Sequence, residues 1–89
     1  MQETEDTSFP VGFHNKNGTL REYLRRGYEI KFEKDGTEYN LDNGILTLYN
    51  TGEILLNMPG KTANEILRAN VNGITVEELI ETSHVLALH

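Results

Sequence analysis

The chain has no cysteine, which removes disulfide frameworks, thiolate zinc sites and thiol nucleophiles together. A secreted domain of 89 residues usually relies on such staples, so their absence favours an intracellular, cytoplasmic setting. Apolar runs never exceed a few residues, far short of the ~20 that a membrane-spanning helix requires. The opening "MQETEDTSFP" lacks the basic and then apolar segments of a secretory signal. No membrane partner is expected. Positive charge is scarce as well: 8 Lys and Arg stand against 14 Asp and Glu, for a net charge of −6. Such a chain repels phosphate where a nucleic-acid binder would release counterions, so direct binding to nucleic acid is not expected.

A hydrophobic fraction of 37% with 25% charged residues is the composition of an ordinary globular domain. The length allows one such domain, burying only ~60–65% of its unfolded surface. Residues 1–8 read as a disordered acidic tail, being polar and without a periodic apolar set. Residues 9–89 then form a single small α+β domain. Phe9, Val11 and Phe13 suit an extended strap. "TLREYLRRG" reads as a short helix, with Thr19 and Glu22 as a capping box and Gly27 just past its end.

Strand signals follow. Tyr28, Ile30 and Phe32 alternate with Glu29, Lys31 and Glu33. Asp35-Gly36 is a type I′ hairpin signal, because both positions tolerate positive φ. Tyr39 and Leu41 continue the return strand. Asp42-Asn43-Gly44 and Thr51-Gly52 mark two further turns, around "ILTLYN" and "EILLNM". Two helices complete the pattern. Thr62 with Glu65, and Thr75 with Glu78, have capping-box spacing, and Asn72-Gly73 is read as the end of the first of these helices. Val76, Leu79, Ile80, Ser83 and Leu86 make a helical stripe that runs almost to the last residue. The expected fold is therefore α+β: a three- to four-stranded antiparallel meander packed against two C-terminal helices, with a short N-terminal helix.

Gly60-Lys61-Thr62 has the last letters of a phosphate-binding P-loop. The full motif needs another glycine five positions earlier, where this chain has Leu55, and Pro59 removes one of the backbone donors that would cradle phosphate. Thr62 is moreover committed as a helix cap. Nucleotide binding is excluded on these grounds. Glu81 and His84 have the i, i+3 spacing used in carboxylate metal bundles, but a single pair cannot build such a site. His14, His84 and His89 fall in unrelated contexts, and no serine or threonine has a recognisable base. The expectation is no catalytic residue, no cofactor and no metal.

The C-terminal half, "GEILLNMPGKTANEILRANVNGITVEELIE", resembles the RiPP precursor recognition elements, the PqqD-like winged-helix domains. Leu56-Asn57 fills the place of the family's strand end, Ile66-Leu67 that of its helix end and Asn72-Gly73 that of its turn. Thr75-Val76-Glu77-Glu78-Leu79 fills the opening of the next helix. The stretch from Asn57 to Ile66 is longer than in the family. The resemblance implies no catalysis, a leader peptide added to the sheet edge and a groove completed by a third helix. This chain stops before a third helix, so "TLREYLRRG" would have to take that place.

With no chemistry surviving inspection, the leading expectation is a non-catalytic protein- or peptide-binding module. The alternative is a small acidic phage or mobile-element inhibitor that occludes or mimics a host factor's ligand. Residues 16–34 are locally basic within the acidic chain: Lys16, Arg21, Arg25, Arg26, Lys31 and Lys34 outnumber Glu22, Glu29 and Glu33. The candidate partner contacts are Arg21, Arg25 and Arg26 on the first helix with Lys31 and Tyr49 on the sheet, since arginine and tyrosine dominate energetic hot spots. Tyr49 is expected to be exposed, with Leu46 and Leu48 facing inward. Strand edges leave self-association open as well.

Overall fold

Alternation builds the sheet. The structure, a computed structural model, describes residues 19–89. The acidic tail and the Phe9, Val11 and Phe13 strap therefore lie outside the described residues. Ile30–Lys34 (β1) and Thr37–Asp42 (β2) form the first hairpin, followed by Ile45–Leu48 (β3) and Ile54–Asn57 (β4). The β1–β2 and β2–β3 turns have positive φ at both central residues, 53° and 84° at Asp35-Gly36 and 53° and 81° at Asn43-Gly44, as type I′ turns require. The register stacks Ile30 beside Leu41, Leu41 beside Leu46 and Leu46 beside Leu56. This row, with Phe32 next to it, supplies the sheet's side of the core. Phe32 is fully buried and stacks on Tyr39 with ring centroids 5.1 Å apart.

Three short helices cover that face: Thr19–Arg25 (α1), Ala63–Arg68 (α2) and Val76–Glu81 (α3). Leu20, Ile66, Leu67, Val76, Leu79 and Ile80 share one cluster with the sheet residues. None of these helices would persist alone at such a length, so packing holds them. α2 carries the complete reciprocal cap, with Thr62 Oγ1 accepting from the Glu65 amide and Glu65 accepting from the Thr62 amide. At α3 only the Thr75 arm forms.

The expected architecture needs two corrections. The main sheet has five strands in the order β4-β3-β2-β1-β7, because His84–Leu88 is a strand (β7) paired with β1 and not a continuation of the last helix. Asn72-Gly73 does not end a helix. α2 ends at Arg68, and the Asn-Gly pair, φ 53° and 91°, turns a second, two-stranded sheet of Asn70–Val71 (β5) and Ile74–Thr75 (β6). The protein is therefore richer in sheet than the expected meander under two C-terminal helices. The cause at α3 is visible in its last turn. Thr82 Oγ1 donates to the Glu78 and Leu79 carbonyls, and Ser83 Oγ donates to Leu79. These hydroxyls satisfy carbonyls that a further helical turn would have used. The uncharged segment after them pairs instead with the free side of β1.

The Thr62–Glu65 cap makes one prediction. Hydrogen bonds from Thr62 hold the Glu65 carboxyl below its ordinary value of 4.5. A lowered folded value means the stabilisation is fully present above pH 4.5 and is lost as pH falls through the folded value. The protection factors of the α2 amides, taken against intrinsic exchange at each pH, are expected to fall below that pH in the parent and to lose this acid dependence in Glu65→Gln. Thr62→Ala is expected to cost about 1 kcal/mol at neutral pH.

Candidate functional site

Strand alternation sends Lys31 to the face opposite Ile30 and Phe32. There its Nζ stands 3.7 Å from the centre of the Tyr49 ring and 3.7 Å from Glu38 Oε1. The Tyr49 amide donates to the Glu38 carbonyl at 2.9 Å, which fixes the tyrosine at the end of the β2–β3 ladder. Register aligns Ala87, Lys31, Asn40, Thr47 and Ile54 in one row across all five strands. Tyr49 and Ile54, 53% and 56% exposed, are the large hydrophobic residues that this region leaves to solvent.

The arginines belong elsewhere. α1 packs through Leu20 and Leu24 on the core side of the sheet, so the structure does not join Arg21, Arg25 and Arg26 to Lys31 and Tyr49 as one surface. Arg21 is a tie between helices: its Nε donates to Asn64 Oδ1 on α2, and its Nη2 lies 3.5 Å from Glu77 Oε2 on α3. Arg25 and Arg26 share Glu22, at 3.0 and 3.1 Å. Reversing both to glutamate would therefore crowd three carboxylates onto one helix face, and glutamine is the cleaner substitution.

Arg21 and Arg25 nevertheless meet a third cation. A cavity of about 420 Å³ opens between α1 and the start of α2, with Leu24, Lys61, Thr62 and Asn64 completing most of its wall. Lys61 was hidden in the sequence by the failed P-loop, which draws attention to phosphate chemistry in place of the residue's proximity to α1. Glu81 closes α3 and His84 opens β7, so their spacing is not helical. Among the described residues, no three His, Cys, Asp or Glu side chains gather as a metal site would require.

The sheet's edges are the other notable feature. Among the described residues β4 and β7 are the outer strands, and their sequences ILLN and HVLAL contain no Lys, Arg, Asp or Glu. The charged strands, β1 and β2, are interior. Proteins usually protect outer strands with charge or proline, so this distribution is inverted. No helix among the described residues is long and apolar enough to cross a membrane. The chain matches no protein-family model, no curated protein and no solved structure.

Proposed function

We propose that this chain is a non-catalytic peptide-binding module that accepts an extended segment of a partner protein as an added strand beside β4. The observation that carries this reading is the uncharged outer strand with Ile54 exposed at its start and Tyr49 nearby. Backbone groups along such an edge supply affinity without regard to sequence, while the alternate exposed side chains discriminate among partners. β4 is favoured over β7 because both large exposed hydrophobic residues lie at its end of the sheet. The resemblance to precursor recognition elements implies the same mode of capture.

The test is a peptide-display selection against the full chain, followed by binding measurements on the enriched sequences. Apolar, β-prone segments should be recovered, and Ile54→Lys should weaken them by about tenfold or more, roughly 1.4 kcal/mol, without moving the urea midpoint. A variant that binds them as tightly as the parent removes β4 as the docking strand. Self-association through the same edge would appear in light scattering as a mass that rises with concentration and falls back in Ile54→Lys.

A further inference from the structure

We propose that the cavity between α1 and the loop leading into α2 receives the carboxylate of an acidic residue at the N-terminal side of the bound segment. The inference rests on the β4 reading and adds to it a chemical class of partner and a direction. Among the described residues three cations, Arg21, Arg25 and Lys61, line the cavity, and no carboxylate does. In a chain of net charge −6, such a convergence is not what composition alone would provide. Thr62 and Asn64 add polar groups, and Leu24 adds an apolar wall along which a side-chain stem can lie.

Charge selects the ligand. Arg21 already faces Glu77, and Glu22 serves both Arg25 and Arg26. Glu65 is engaged by the Thr62 amide and hydroxyl. Among the described residues four cations (Arg21, Arg25, Arg26 and Lys61) thus face three carboxylates (Glu22, Glu65 and Glu77), an excess of one positive charge. Lys61 acts on Glu65 through space but forms no salt bridge within 4.0 Å among the described residues. A single carboxylate neutralises the excess, whereas a phosphate dianion would leave negative charge uncompensated in a chain that is already acidic.

Position gives the direction. Lys61 lies four positions beyond Asn57, the last residue of β4. The Met58 amide bonds to Gly44 at 2.9 Å and the Lys61 amide to Met58 at 3.4 Å, so the loop turns at the end of the sheet before entering α2. Every ladder in the sheet is antiparallel. A segment that continues this pattern beside β4 has its N-terminal side at the Asn57 end, the end from which the chain runs on to Lys61.

The probes are three blocked peptides, acetylated and amidated: Glu-Thr-Val-Thr-Val-Thr, its glutamine-first twin, and Thr-Val-Thr-Val-Thr-Glu. Amide chemical shifts of the full chain report both place and affinity. The glutamate-first peptide should bind about tenfold tighter than the other two and move the amides of residues 61–64 together with those of β4. Lys61→Gln should erase that advantage, bringing the glutamate-first peptide to the affinity of its glutamine twin. Equal affinity for glutamate and glutamine, with shifts confined to β4, overturns the cavity and leaves the strand-edge reading standing. A glutamate-first peptide that shifts residues 61–64 but not β4 supports the cavity and removes the strand edge. No saturable shift with any peptide removes both. Inorganic phosphate competing at the cavity more tightly than the glutamate-first peptide overturns the choice of carboxylate.

Discussion

Gly44→Ala is expected to lower stability by about 3 kcal/mol, to be read as a drop in the urea midpoint. A methyl group built on Gly44 would stand 2.1 Å from the Met58 carbonyl oxygen, a separation that only backbone movement can relieve. Gly44 also holds φ at +81°, which costs an L-residue roughly 1–2 kcal/mol by itself. Moving Met58 would disturb its 2.9 Å bond to Gly44 and the 3.4 Å turn bond from Lys61, together worth about 1–2 kcal/mol. Gly36→Ala is the comparison. Its φ is +84°, but nothing lies within 4 Å of an added methyl, so its cost should stay at the conformational penalty alone, roughly 1–2 kcal/mol. Domains of this size hold about 5–10 kcal/mol, so Gly44→Ala removes a large share and Gly36→Ala a small one. Equal losses at the two glycines would mean that the contact with Met58 is not tight in solution.

The second large effect separates a strand from a helix at the C-terminal end of the fold. In β7, Val85 is fully buried against Phe32 on β1, whereas Leu86 lies at the register shift and is only half-buried. Val85→Asp places an unpaired carboxylate in the core and should cost more than about 4 kcal/mol, enough to leave the chain largely unfolded. Leu86→Asp should cost about 1 kcal/mol. A helix continuing past α3 demands the reverse order, since its apolar stripe would bury Leu86 and expose Val85. Far-ultraviolet circular dichroism and urea titration of the two variants decide between them.

That reversal shows where local pattern stops carrying information. Val76, Leu79, Ile80, Ser83 and Leu86 match the period of a helix as well as the structure matches that of a strand. The choice is made by β1, some fifty positions away, whose second side offers a ladder. Thr82 and Ser83 carried a signal that could have been used, because adjacent hydroxyls able to bond back to the preceding turn are natural helix stops. The β5–β6 hairpin escaped for another reason. Strands of two residues have no alternation to recognise, so from sequence Asn72-Gly73 reads as the end of the preceding helix. The central hairpins were legible because alternation and turn chemistry agree there: Ile30 and Phe32 inward, Lys31 outward, and Asp35-Gly36 between the strands.

The candidate site was legible residue by residue but not as an arrangement. Tyr49 is half-exposed beyond the buried Leu46, and Arg21 and Arg25 lie on the expected helix, whereas Arg26 falls in the turn just past its end. Their division between two faces follows from which side of β1 receives α1, and no local feature encodes that. The cavity likewise depends on α1 meeting the start of α2, two elements separated by the entire hairpin series.

The place of β7 also sets the order of events when the chain folds. β1 through β4 are joined by short turns and can zip together by local contacts, but β1 reaches β7 only after the long intervening stretch has closed. During that interval the outer side of β1 has no partner among the described strands, and a neighbouring chain's HVLAL segment is chemically equivalent to the one that will arrive. Refolding yield should therefore fall as protein concentration rises, because the intramolecular closure competes with an exchange of the same strand between molecules.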